Sequence, residues 1–252
     1  MEIKLTPIGI EELIKDIDDK HRNQIPYALA KALTKVVQEL KENVIKDMRR
    51  VFDRPTPWTL GGVYYKSATK KNLESKVWFK DEAGNGTPTA KYLTPQVFGG
   101  GRNVKRFEAA LRRAGVLPSN MYAIPGTDAE LDAYGNMSRG QIVKILSYFS
   151  AFGEQGYSAN ITEKKLKRMA KGTKKQRGME YFVSRGDDEL NPGIYSRTFF
   201  VWGSAIKQII AFISRPTYPK RLPFYKSSEK WIAARLPALF EEALSEAIRT
   251  AK

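Results

Sequence analysis

The chain contains no cysteine and only one histidine, His21. Thiolate zinc sites and disulfide staples are therefore excluded, and a single imidazole cannot build a histidine-rich metal site. A serine triad would need His21 as its base. That residue sits in a charged linker, DDKHRN, and no nucleophile-elbow motif accompanies it. Long apolar runs are missing as well. The longest, around 206–213, is interrupted by Lys207 and Gln208 and is far too short to span a bilayer. The opening stretch MEIKLTPIGIEELIKDIDDK lacks the basic start, apolar middle and small-residue cleavage site of a secretory signal. A soluble chain, made in the cytoplasm and without a membrane partner, is the expectation.

Acidic residues are the scarce charge, 27 against 43 basic, for a formal charge of +16. An excess of that size favours a polyanion such as nucleic acid, or an acidic protein neighbour. Carboxylates do cluster at Asp16/Asp18/Asp19, Asp81/Glu82 and Asp187/Asp188/Glu189. These clusters fall in turn-like segments without a nuclease or glycosidase framework, and capping and solubility account for them. No acid–base constellation can be named. The sequence therefore predicts no enzyme, no catalytic residue, no metal site and no cofactor.

What is present is enough for a core. The 252 residues are 42% hydrophobic and 11% aromatic, which suits one large domain or two small ones. Between residues 26 and 52, Ala28, Leu29, Ala32, Leu33, Val36, Val37, Leu40, Val44, Ile45 and Met48 recur at three- and four-residue intervals, one apolar face of a long helix. Pro26 fits its first turn and RPTPW, 54–58, ends it. A short helix is expected near 10–20. Strands are expected around Val63–Tyr65 and Val77–Phe79, where β-branched and aromatic residues gather. Helices follow at 103–114, 138–152 and 162–170, then strands in MEYFVSR, GIYSRTF and 205–213. A second long amphipathic helix closes the chain at 227–250, with Trp231, Ile232, Leu236, Leu239, Phe240, Leu244 and Ile248 on its buried face. This order predicts an α+β fold, an antiparallel sheet flanked by long N- and C-terminal helices, with a helical insertion. Residues 1–91 and 179–252 would form the α+β core, with both strand groups in one sheet, and 92–178 the insertion subdomain.

Two stretches carry charge chemistry. FGGGRNVKRFEAALRRAG, 98–115, puts three glycines before a basic helix. A phosphate-binding Walker loop needs lysine and a hydroxyl residue after its last glycine, but Arg102 and Asn103 follow here; a dinucleotide loop's spacing is also absent. The glycines read as a hinge into the insertion. Arg102, Lys105 and Arg106 remain candidates to hold a DNA phosphate at the helix N-terminus. The second stretch, KKLKRMAKGTKKQRG, crowds Lys164, Lys165, Lys167, Arg168, Lys171, Lys174, Lys175 and Arg177 together. Such a run is either a solvated face or a contact to a polyanion, DNA or an acidic partner. Tyr157 and Phe182 flank it. In WTLGGVYYK, Trp58, Tyr64 and Tyr65 suit either a core or a subunit interface, where aromatics are enriched.

The order of IPYALAKALTKVVQELKENV, a basic β region, NPGIYSR, and RPTYPKRLPFYKSSEKWIAARLPALFEEALSEAIR resembles the minor tail protein Z, or tail completion, family of tailed bacteriophages. LTPQVFGGGRNVKRFEAALRRAGVLP and DAYGNMSRGQIVKILSYFSAF resemble prophage proteins associated with morphogenesis. The matching segments cover about half the chain; the helical block between the strand groups departs from the shorter relatives. By this resemblance Pro192, Gly193 and Tyr195 mark a strand entry, and Tyr218 and Pro219 the loop before the last helix, with Tyr195 and Tyr218 added to the candidate interface. The resemblance implies a structural virion protein at the head–tail junction, with no catalytic residue. It implies a homo-oligomeric ring that contacts portal, adaptor or tail proteins and lies near packaged DNA. The alternative is a basic nucleic-acid-binding protein acting in packaging or regulation; a metal-dependent nuclease is more distant.

Overall fold

A computed structural model describes residues 1–8, 24–84, 86–153, 159–174, 176–186 and 189–250. His21, the Asp16/Asp18/Asp19 cluster, Tyr157, Lys175, Asp187, Asp188 and the helix expected at 10–20 lie outside them. The chain forms two compact units, residues 1–100 with 218–252, and residues 101–217.

The first unit is built on two long helices, α1 (Gln24–Val51) and α7 (Phe224–Thr250), and a three-stranded antiparallel sheet of β1 (Glu2–Leu5), β2 (Val63–Lys66) and β3 (Ser75–Phe79) in the order β1-β3-β2. The helical periodicity of α1 buries Ala28, Ala32, Leu33, Val36, Val37, Leu40, Val44 and Met48 along one face. They join Val63, Val77 and Phe79 from the sheet and Leu239, Ala243 and Ala247 from α7 in one core. Each such Val or Leu contributes about 1.5–3 kcal/mol by leaving water. Alternation along β3 sends Val77 and Phe79 inward and leaves Lys76 and Trp78 half-buried on the other face. A single turn, α2 (Pro57–Leu60), is capped by the Thr56 hydroxyl and ends at Gly61. Helix α3 (Thr89–Phe98) adds Leu93 and Val97 to the same core.

α1 and α7 run antiparallel, as their polar rungs show. Lys31 pairs with Glu246 and Lys35 with Glu242; Glu39 meets Arg235, and Asp47 accepts a hydrogen bond from the Ser227 hydroxyl at 2.6 Å. Partners descend along α7 as they climb α1. Alanines at Ala28 and Ala32 on one helix, and Ala243 and Ala247 on the other, keep the buried seam narrow.

The second unit holds a four-stranded antiparallel sheet in the order β5-β8-β7-β6: β5 (Tyr122–Pro125), β6 (Met179–Ser184), β7 (Gly193–Phe200) and β8 (Gly203–Ile213). Helices α4 (Arg106–Arg113), α5 (Arg139–Tyr148) and α6 (Glu163–Lys171) belong to it. Leu111, Leu117, Ala123, Ile145, Tyr181, Ile194, Ile210 and Phe212 form its core. The two-residue strands β4 (Gly100–Gly101) and β9 (Thr217–Tyr218) mark where the chain passes from one unit to the other.

The fold is α+β, with antiparallel sheets and long helices at both ends. The expectation of one shared sheet is corrected. β6, β7 and β8 share a sheet with β5, which pairs with β8 so that Tyr122 and Pro125 lie opposite Ile213 and Ile210, and not with β2 and β3. The passage between units consequently falls at 217/218 rather than at 178/179, and at 100/101 rather than at 91/92. Residues 92–178 are thus not a separate helical subdomain: α3 packs in the first core, while α4, α5 and α6 share a unit with four strands.

Candidate functional site

Backbone geometry answers the question posed by the three glycines. Gly99 and Gly100 have φ of 80° and 98°, a region that L side chains avoid. Gly99 caps the end of α3, its N–H bonding back to Pro95 O at 2.9 Å, and Gly100 opens β4.

Arg102 does not face outward as its sequence context implied. Its guanidinium makes two bonds to the Glu108 carboxylate, at 2.8 and 2.6 Å, donates to Ala123 O at 3.2 Å, and lies 4.9 Å from the centre of the Tyr122 ring. The Arg102 side chain is 12% exposed and that of Glu108 is fully buried. Glu108 also accepts from the backbone N–H groups of Lys105, at 2.6 Å, and Ala123, at 2.8 Å. Burial pushes the Glu108 carboxyl up. The bonds from Arg102, Lys105 and Ala123 outweigh it and hold the group below the ordinary carboxylate value. Arg102 is therefore a structural partner of Glu108, which locks the start of α4 to β5, and is removed from the candidate DNA contacts. Lys105 and Arg106, at the first turn of α4, are exposed.

The basic run forms α6 and the loop after it. Leu166 and Met169 turn inward, Met169 against the second core, while Lys164, Lys165, Lys167, Arg168 and Lys171 stand exposed on the remaining surface. Lys174 and Arg177 are exposed in the loop. Among the described residues none of these seven cations is paired with a carboxylate. Gly172, with φ of 75°, folds this loop so tightly that its added Cβ would lie 2.5 Å from Gly178 N.

The aromatic candidates divide. Trp58 is half exposed and Tyr64 faces solvent beside Trp78, its register partner across β2 and β3, with ring centres 6.0 Å apart. The Lys80 ammonium sits 5.5 Å from the Trp58 ring and 5.7 Å from Tyr64, and Lys76 lies 5.2 Å from Trp78. Tyr65 is half-buried against α1, 5.6 Å below Lys41, and its hydroxyl accepts from Gln38 at 3.3 Å. Tyr195 is an interior residue, 5% exposed and stacked on Phe182; its hydroxyl donates to Asn191 O and accepts from Gln208. It is removed from the candidate interface. Tyr218 is half-buried.

One feature of the second unit escaped the sequence reading. Strands β7 and β8 join in a two-residue turn, Val201–Trp202, with Phe200 opposite Gly203. Val201 is 88% and Trp202 97% exposed, and Phe199, Phe200 and Ile206 are partly exposed beside them. Such turns ordinarily carry Asn, Asp or Gly. Four consecutive large apolar residues, FFVW, were the available signal. The sequence reading ends one strand at Phe199 and begins the next at Ala205, leaving residues 200–202 unassigned.

Among the described residues no group of three His, Asp or Glu side chains is placed to hold a metal, and no helix is long and apolar enough to cross a membrane. No family model, curated protein or solved structure matches the chain.

Proposed function

We propose that this chain is a structural protein of a tailed bacteriophage at the head–tail junction, assembling as a ring that joins portal or adaptor to tail. The carrying observation is the uncovered face of the first sheet. Trp58, Tyr64 and Trp78 lie together there with Lys76 and Lys80 over their rings. Two exposed aromatic rings, Trp58 and Tyr64, beside the half-buried Trp78 make a surface of the kind that interfaces favour. The opposite face is filled by α1, so the sheet is already braced from behind. A ring requires this patch to meet a different patch on the next copy, a contact that closes by rotation. On this reading the chain works by binding, and no bond is made or broken at its side chains. The resemblance in NPGIYSR and in the segment from Arg215 to Arg249 supports the same assignment. The particle is its destination and the host cytoplasm its place of assembly.

The alternative, a nucleic-acid-binding protein acting in packaging or regulation, is favoured by seven cations of α6 and its loop that have no carboxylate partner among the described residues. Light scattering on the purified chain separates the two. The structural reading expects an oligomer that Trp58→Ala with Tyr64→Ala shifts toward monomer. A monomer at every concentration, indifferent to portal and tail components, contradicts it.

A further inference from the structure

We propose that the β7–β8 turn and α6 together form a grip for single-stranded nucleic acid. The cations neutralise phosphates and Trp202 stacks on an unpaired base. This deepens the reading of the basic run as a face for polyanions, and it stands whether or not the chain assembles.

The two elements meet at one end of the sheet. The loop leaving α6 runs into β6, whose first residue, Met179, lies opposite Thr198 of β7. Phe199 N–H donates to Gly178 O at 2.9 Å, and the Arg177 guanidinium lies 4.4 Å from the centre of the Phe200 ring. The cationic loop is thereby fastened beside the apolar turn. On α6, Lys164, Lys167, Arg168 and Lys171 follow at helical spacing opposite the inward Leu166 and Met169, one charged stripe of about 10 Å. The only acidic residue of that helix is Glu163, at its first position.

Uncompensated charge of this density calls for a polyanion, and the free indole calls for a flat apolar surface. A strand with unstacked bases supplies both: phosphates at regular intervals and π-faces of any sequence. Charge placement argues against a lipid surface. Arg177 rests on Phe200 itself, so immersing that ring in hydrocarbon would carry the guanidinium with it.

The test is fluorescence anisotropy of the full chain with a labelled oligothymidylate about 16 nucleotides long, the upper end of such site sizes. A blunt duplex of equal length and vesicles of phosphatidylserine with phosphatidylcholine serve as comparison arms. Trp202→Ala is expected to weaken oligothymidylate binding roughly tenfold or more, and Trp202→Phe to restore most of it. Lys167→Glu with Lys171→Glu is expected to flatten the dependence of log affinity on log salt by about one unit or more. Both variants sit on exposed positions and should melt as the parent does. Absence of oligothymidylate binding overturns the inference, even if vesicles capture the chain. So does binding that Trp202→Ala leaves unchanged, or a duplex preferred over the single strand. Light scattering on the same samples reads assembly separately, so failure here and failure of the ring reading are told apart.

Discussion

Arg235 of α7 grips Glu39 of α1 through two bonds, Nε to Oε2 at 2.9 Å and Nη2 to Oε1 at 3.1 Å. The bond from Arg235 holds the Glu39 carboxyl below its ordinary value, against a smaller upward push from burial. The pair sits one residue from Leu40, which is fully buried, so it fixes the register in which the two apolar faces meet. Because the pair is open to water, it selects register more than it adds stability. Glu39→Arg and Arg235→Glu are each expected to lower the melting temperature, and the double exchange to recover most of the loss. Leu40→Ala should cost far more, about 2–5 kcal/mol in a denaturant titration.

Glu108 gives the second unit an acid-sensitive contribution to its stability. Its carboxyl is held below the ordinary value in the folded state, so the unfolded chain binds the proton more readily. Its contribution is therefore complete above the unfolded carboxylate value, near 4.5, and is lost as pH falls from there through the depressed folded value. Glu108→Gln leaves the buried Arg102 guanidinium without its counter-charge and is expected to cost about 3–5 kcal/mol at neutral pH. Hydrogen exchange of the amides of α4 and β5, followed from neutral to acid pH, should show early opening in the parent. In the variant it should show a much flatter acid dependence.

A pair of glycine exchanges separates backbone strain from crowding. An added Cβ at Gly100 or at Gly140 would meet nothing within 4 Å. Gly100, however, sits at φ of 98°, whereas Gly140 lies within α5 and has no positive φ. Gly100→Ala is expected to destabilise by about 1–3 kcal/mol, and Gly140→Ala to stabilise by about 0.4–1 kcal/mol. Thermal melts of the two variants measure both signs.

The long helices were legible as elements because their signal is local, and α1 buries every residue its periodicity marked except Ile45. The face expected of α7 is corrected: of the residues marked on it Leu239 is buried and Ile248 is exposed, and the small Ala243 and Ala247 take the seam against α1. Sheet membership is a non-local property. Nothing in MEYFVSR or GIYSRTF says which strand lies beside it, and the strand that decides, β5, is four residues long and ends in Pro125. Arg102 was misassigned for a related reason. The run RNVKRFE places Glu108 at the third position of α4, where an acidic residue reaches back to the helix start; that spacing was visible, but the burial that makes it an ion pair was not. Tyr195 reads as a surface aromatic until Phe182 and Gln208 are seen beside it. The exposure of the basic run was legible for the seven of its cations that lie among the described residues, since five on nine helical residues and two in a short loop have little room to turn inward; Lys175 lies outside them.

The uncovered sheet face makes its own prediction. Lys80 serves both Trp58 and Tyr64, so Lys80→Ala should loosen the patch without touching the core. In the presence of the assembly partners, the expected outcome is a faster off-rate with little change in melting temperature, read by surface plasmon resonance beside a thermal melt.

The proposed role is to grip neighbouring copies and particle components, and electron microscopy of the purified protein tests that most directly. Imaged alone and after mixing with purified portal, the parent is expected to form closed rings of one size, with Trp58→Ala and Tyr64→Ala giving dispersed particles. Single separated molecules in both samples, or rings that persist unchanged in the double variant, would contradict it.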